Sequence, residues 1–200
     1  MADIATVLTS GPGVPAETVD RFLAAASDAE LVDVAVAPVD APFGRVWVAV
    51  TPRGLVRVTF DSHDDLLAEL ARKVSPRVLD AAAPTDAARR ELDEYFAGRR
   101  TAFDLPLDTR LVRAGFQRSV LDAAAAIPYG RQSTYGEVAA GIGRPGAARA
   151  VGTALGANPL CIVIPCHRVL RSGGTISGYA GGPEVKRWLL DREGSRTLPG

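Results

Sequence analysis

A chain of 200 residues, 47% hydrophobic and 23% charged, is long enough to bury a sizeable core as one large domain or two small ones. Its apolar runs all fall short of the ~20 residues of a membrane span, and two cysteines make no disulfide framework. The formal charge of zero hides an asymmetry: residues 1–110 hold 12 Lys and Arg against 18 Asp and Glu, whereas residues 111–200 hold 11 against 5. A basic second half fits an anionic partner such as nucleic acid, and it fits ordinary surface charge equally well.

The start, Met1-Ala2-Asp3, shows no basic stretch of a signal peptide, so a cytoplasmic, reducing location is expected. Pro15-Ala16-Glu17 opens a helix to about Ala26, with Val19, Phe22 and Leu23 on one side. Val32 to Val36 fits a short strand. Val46 to Val50 and Leu55 to Phe60 are β-branched runs around Pro52-Arg53-Gly54, which predicts a hairpin. Helices are expected over Asp64 to Val74 and over Asp86 to Ala97, the second stopped by Gly98. Leu105-Pro106-Leu107-Asp108 reads as a linker, and the charge changes sign just beyond it. The expected division is an N-terminal extension of unknown role over residues 1–39, a first domain over 40–107 and a second over 108–200.

The second half reads as mostly helical. An amphipathic, Ala-rich helix runs from Phe116 to Ile127 and stops at Pro128-Tyr129-Gly130. Thr134 and Glu137 have capping-box spacing at the start of the next helix. A third begins at Arg144-Pro145 and ends by Gly156. Two short helices across a Gly-containing turn match a helix-turn-helix. The later of the two is almost bare: Ala147, Ala148, Ala150 and Gly152 surround Arg149, while Val151 and Leu155 supply the core stripe. Close helix packing selects such residues. So does a helix pressed against a nucleic-acid backbone with one arginine projecting, and both readings stand at this point.

Chemistry concentrates at Pro165-Cys166-His167-Arg168, after the apolar run Cys161 to Ile164. A cysteine at the end of a buried strand beside an imidazole is a candidate nucleophile, because thiolate is the reactive form. If residues 161 to 166 are extended, the two thiols lie ~16 Å apart, too far to bridge, and Cys161 reads as a small buried hydrophobe. With His63 remote in sequence, two Cys and two His give no zinc spacing, and no metal is expected.

Several further motifs stand in order around these: Phe116-Gln117-Arg118, Ile127-Pro128-Tyr129-Gly130, Ser133-Thr134-Tyr135-Gly136-Glu137, Arg149-Ala150-Val151-Gly152, Asn158-Pro159, Gly178-Tyr179-Ala180-Gly181-Gly182, Trp188-Leu189-Leu190 and Glu193-Gly194. Over residues 113–195 the chain resembles the O6-alkylguanine-DNA alkyltransferases, or methylated-DNA–protein-cysteine methyltransferases. The resemblance implies an α+β fold: a ribonuclease H-like α/β domain, then a mostly helical, winged helix-turn-helix alkyltransferase domain. It implies a protein, monomeric when free, that flips O6-alkylguanine out of double-stranded DNA and moves the alkyl group irreversibly onto Cys166. No cofactor and no membrane partner are implied, and O4-alkylthymine is a second candidate substrate. By the same resemblance Glu193 orients His167, which takes the Cys166 proton through a water, and Asn158 braces the cysteine loop. Tyr135 donates to the purine. Tyr179, Ala180, Gly181 and the Val169 carbonyl form the alkylguanine pocket. Arg149 enters the stack, with Ala147, Ala148, Ala150 and Gly152 against the minor groove. Some relatives have a hydroxyl residue where this chain has Ala180, and many have tryptophan in place of Leu121.

Two other functions fit parts of this pattern. A DNA-binding module with an inert thiol needs the bare helix and not the cysteine. A Cys-His-Glu hydrolase needs the triad and not the bare helix.

Overall fold

The computed structural model describes residues 32–176 and 178–194, together with Thr18. The helix expected from Pro15 to Ala26 lies outside the described residues, Thr18 apart. Strands β1 (Val34–Ala41), β2 (Gly44–Thr51) and β3 (Gly54–Thr59) form an antiparallel meander, and β4 (Val78–Asp80) joins β1 in parallel, giving the order β3-β2-β1-β4. The β2–β3 hairpin is the expected one. The start of the domain is earlier than expected: residues 34–39 belong to the sheet, not to an extension. Ala35 pairs with Val50 and Val39 with Val46, and Val34 to Ala37 are all buried because both faces of β1 are covered.

Helix α1 (His63–Lys73), capped by Ser62, carries the chain from β3 to β4. Its Leu66 and Leu70 pack on Val34, Val36, Ala49 and Val56. Helix α2 (Asp86–Phe96) covers the opposite face, where Leu92, Tyr95 and Phe96 meet Val39, Val46 and Val48. That second core does not stop at the domain edge. It continues through Val120 and Leu121 of α3 (Phe116–Ala125), Val138 of α4 (Tyr135–Gly141), Val151 of α5 (Ala148–Gly156) and Leu189 of α6 (Gly182–Arg192).

The stretch read as a linker is pinned to the sheet. Leu55 N donates to Pro106 O at 2.8 Å and Asp108 N to Leu55 O at 2.9 Å, and the buried Asp108 carboxylate accepts from Thr51 Oγ1 at 2.7 Å. In the helical half the capping box forms as expected: Glu137 N donates to Thr134 Oγ1 and Thr134 N to Glu137 Oε2. Helix α5 starts at Ala148, four residues later than Arg144. Gly146 holds φ at +89°, a turn conformation open to glycine, so Pro145-Gly146 forms a turn rather than the first helical residues. A two-residue parallel pairing of β5 (Ser133–Thr134) with β6 (Val169–Leu170) ties the start of α4 to the segment following Cys166. Among the described residues no helix is long and apolar enough to cross a membrane.

A core shared by both halves makes a specific prediction. Leu92 is fully buried in it, so Leu92→Ala should cost about 2–5 kcal/mol. Urea unfolding followed by tryptophan fluorescence and by far-UV circular dichroism should show one coincident transition moved to lower urea. Separation into two transitions would show that the halves unfold independently.

Candidate active site

The segment from Asn158 to Arg168 is not the extended strand expected from its apolar run. Ile164 N donates back to Leu160 O at 2.8 Å, Val163 N to Cys161 O at 2.9 Å and Cys166 N to Ile164 O at 2.8 Å. Ile162 turns the chain with φ at +73°, a costly conformation for a β-branched residue. The buried Asn158 side chain fixes this reversal. Its Oδ1 accepts from Leu160 N at 3.0 Å, and its Nδ2 donates to Ile164 O at 2.9 Å and to Cys166 Sγ at 3.2 Å. Strand β3 pairs the start of the segment, where Val58 N donates to Pro159 O at 2.8 Å, and beyond that point the Asn158 side chain supplies hydrogen bonds that a strand partner would have supplied. The two thiols, expected to be far apart, therefore line one small cavity.

Cys166 opens a single 3-10 turn, Cys166–Arg168, whose three side chains are all buried. The Cys161 thiol facing it does most to lower the Cys166 pKa. Burial opposes that shift, and the Asn158 amide and the Lys186 charge add to it. Lys186, almost fully buried, donates Nζ to Val169 O at 2.7 Å, and burial lowers its own pKa to about 8. The Val169 carbonyl expected in the alkylguanine pocket thus already accepts one hydrogen bond and keeps a second lone pair.

Behind the cysteine, Glu193 gathers donors from both halves of the molecule. Its Oε1 accepts from Tyr95 Oη at 2.7 Å, from His167 Nε2 at 2.9 Å and from Arg168 Nη2 at 2.9 Å. Its Oε2 accepts from Arg168 Nε at 2.9 Å and from Gly130 N at 3.2 Å. Glu193 is the C-terminal cap of α6, where the helix dipole disfavours an anion, and these donors outweigh it. Burial pushes the Glu193 pKa up, but the hydrogen bonds from His167, Arg168 and Tyr95 win and hold it at about 2. Gly130 is required at its place: φ is +72°, and a Cβ there would lie 2.9 Å from the Glu193 carbonyl oxygen.

The same arrangement sets the histidine. With Nε2–H given to Glu193, the buried Nδ1 is left as the acceptor and has no protein partner among the described residues. Burial lowers the His167 pKa against the pull of Glu193, so the ring is neutral and able to take a proton.

The cavity in front of Cys166, about 40 Å³, is bordered by Tyr135, Gly152, Tyr179 and Ala180 as well as by both thiols. Gly152 lies over the Tyr135 ring: a Cβ at this position would sit 3.7 Å from it. Arg149, one turn earlier on α5, is exposed, as is Ala150, while Ala147 and Ala148 are half-buried at the start of the helix. Gly181 does not line the cavity. The space beside it is taken by the Phe60 ring from the first domain, which also meets Tyr179 edge-on at 5.5 Å. His167 and Glu193 stand behind the cavity rather than in its wall. His63 belongs to the sheet domain, stacked on Trp47 and paired with Asp80. Among the described residues no group of three or more His, Cys, Asp or Glu is placed to hold a metal.

Three contributors carried no role in the sequence reading. Arg168 stood in the quoted motif, and its burial was not visible there. Tyr95 lay within the helix expected over Asp86 to Ala97 and was not singled out. Cys161 was read as a hydrophobe. The only signal for Tyr95 is a hydroxyl on a ring at a helix position that is otherwise apolar, since a buried phenol needs a partner.

A family model described as 6-O-methylguanine DNA methyltransferase, ribonuclease-like domain, matches residues 36–109. One described as 6-O-methylguanine DNA methyltransferase, DNA binding domain, matches residues 115–195. The chain is 42% identical over 158 residues to a methylated-DNA–protein-cysteine methyltransferase of Salmonella typhimurium, covering 76% of this chain and 91% of that one. It is 52% identical over 106 residues to a protein of the same name from Mycobacterium tuberculosis, covering 53% and 63%. The structure resembles that of a Mycobacterium tuberculosis OGT in complex with DNA, with a TM-score of 0.70 and 36% identity over 83% of this chain and 96% of that one.

The carboxylate cluster predicts an acid-stability signature. A folded pKa near 2, below the ordinary 4.5, means Glu193 contributes stability that is complete above about 4.5 and lost as the pH falls towards 2. In Glu193→Gln the thermal midpoint should be lower than wild type at pH 7, because Arg168 is left buried without its counter-charge, and the gap should close towards pH 2. A gap that stays constant from pH 7 to pH 2 would contradict this.

Proposed function

The chain belongs to the methylated-DNA–protein-cysteine methyltransferase family, and on that premise we propose that it repairs DNA by moving an alkyl group from O6-alkylguanine in duplex DNA onto its own Cys166, once per molecule. The observation that carries this reading is the position of Cys166. It is the thiol drawn towards thiolate, and it walls a cavity bordered by Tyr135 and Gly152 of the helix pair.

The duplex meets the face of α5, where small side chains let the backbone approach and Arg149 projects to fill the gap left by the flipped base. The extruded base enters between Tyr135 and the Tyr179–Ala180 turn. Cys166 Sγ attacks the alkyl carbon as the carbon–oxygen bond breaks. The cysteine proton passes through a water to His167 Nδ1, and Glu193 stabilises the imidazolium that forms. Negative charge on the departing guanine is relieved by the Tyr135 hydroxyl and by backbone N–H groups of residues 179–181, since Gly182 N already donates to Tyr179 O at 2.9 Å. With alanine at 180, contact to the guanine oxygen there rests on backbone alone. The product is a thioether, which no group in the site can cleave, so the protein is consumed. A DNA substrate and a nucleophile that works only as a reduced thiol support a cytoplasmic location.

Incubating the protein with a duplex containing O6-methylguanine should add one methyl group to the Cys166 peptide, read by mass spectrometry, with at most one equivalent transferred. Cys166→Ala should bind the duplex with wild-type affinity and transfer nothing. Arg149→Ala should fold normally and transfer roughly tenfold or more slowly, since flipping costs a few kcal/mol and ~1.4 kcal/mol is a factor of ten. An unmodified Cys166 peptide would reject the reaction, and equal rates for wild type and Arg149→Ala would reject the role of the arginine.

A further inference from the structure

In the proposed transfer Cys161 forms no bond to the alkyl group and acts only by lowering the Cys166 pKa, yet it stands against the nucleophile. We propose that Cys161 and Cys166 form a redox modification site, in which a peroxide-class oxidant converts the facing thiols into an intrachain disulfide and reversibly withdraws the nucleophile.

The geometry comes from the local reversal. Ile162 at φ +73° and the return hydrogen bond from Ile164 N to Leu160 O fold the five-residue separation back on itself. Asn158 touches both sulfurs: its Nδ2 donates to Cys166 Sγ at 3.2 Å, and its backbone oxygen accepts from Cys161 Sγ at 3.5 Å. Both cysteines are free and buried, and both line the cavity of about 40 Å³. A second, polar cavity of about 250 Å³ reaches Cys161 from the seam between the two halves, past Arg57, Thr59, Asp61 and Asn158. Gly156 at the end of α5 and Ala180 border both cavities, but Tyr135, Gly152 and Arg149 do not border the larger one, so a small hydrophilic oxidant has an approach at the opposite end of α5 from Arg149.

The chemistry balances with hydrogen peroxide as the oxidant. The Cys166 thiolate attacks one peroxide oxygen, the O–O bond breaks, and the departing hydroxide takes a proton to leave as water, giving a sulfenic acid. Cys161 sulfur then attacks the Cys166 sulfur. The S–S bond forms, the S–O bond breaks, and hydroxide leaves with the Cys161 proton as a second water. The thiols lose two electrons and two protons, and the peroxide is reduced to two waters. The asymmetry of the pair suits these roles: Cys166 is drawn towards thiolate and attacks first, while Cys161 keeps its proton until the second step. Without a partner thiol, a sulfenic acid at Cys166 would be open to further oxidation to sulfinic acid, which dithiols do not reverse. The pair therefore spares a nucleophile that can be used only once.

The test is to treat the full chain with hydrogen peroxide in the absence of DNA, then map the peptides. The mass should fall by about 2 Da, with Cys161 and Cys166 crosslinked, and dithiothreitol should restore both the mass and alkyl transfer. Oxygen added at Cys166 with Cys161 left as a free thiol would overturn the proposal. In Cys161→Ser the same treatment should give oxygenated Cys166 and a loss of transfer that dithiothreitol does not restore. Recovery equal to wild type would count against the pairing. The mass readout on the wild-type chain is independent of any activity, so it fails or succeeds separately from the repair function.

Discussion

The structure turns on one buried carboxylate. Glu193 accepts hydrogen bonds from Tyr95 of the first domain and from His167, Arg168 and Gly130 of the second. A charge taken out of water is tolerable only when such donors replace its hydration. Here they do more than compensate. Tyr95 locks helix α2 against the active-site turn, Arg168 braces that turn and donates to Ile127 O, and Gly130 closes the turn after α3. His167 is left with one tautomer and one orientation. Fold and chemistry are coupled at this group, because the same hydrogen bonds that join the halves of the molecule fix the imidazole that the proposed transfer uses as its base.

The chain has a mixed α+β fold, with an N-terminal ribonuclease-like sheet domain followed by a helical DNA-binding domain. The continuous core explains why the first domain matters to a reaction carried out in the second. Phe60 fills the space beside Gly181 and meets Tyr179 edge-on, so the pocket turn is shaped from across the domain seam. The pinned segment at Pro106 to Asp108 leaves the two halves little freedom to swing. Such rigidity suits a site that must hold a flipped base while one bond is exchanged.

What the sequence revealed followed from how local each feature is. The hairpin around Pro52-Arg53-Gly54 and the capping box at Thr134 and Glu137 depend on neighbours a few residues apart, and both were legible. The residues around Cys166 were legible because they cluster in long motifs. Tyr95 was not, because its partner lies 98 residues away and nothing in a helical pattern marks a phenol for that task. Cys161 was misplaced for a different reason. An apolar run reads as a strand, and a β-branched residue at positive φ is the conformation that sequence reasoning weighs least. The strand expected over Val32 to Val36 continues through Pro38 to Ala41, a proline that hid its length, and the late start of α5 was hidden by a proline that sits in a turn rather than in the first helical residues.

The central claim is that Glu193 keeps His167 neutral, with its proton on Nε2 and Nδ1 open to receive the proton of Cys166. Nitrogen-15 NMR of the imidazole-labelled protein tests this directly, with His63 as the only other ring. The expected result is a protonated Nε2 and a bare Nδ1 on His167 at neutral pH, a form kept to a lower pH than that at which an ordinary histidine becomes cationic. An imidazolium at pH 7, or a proton found on Nδ1, would contradict it.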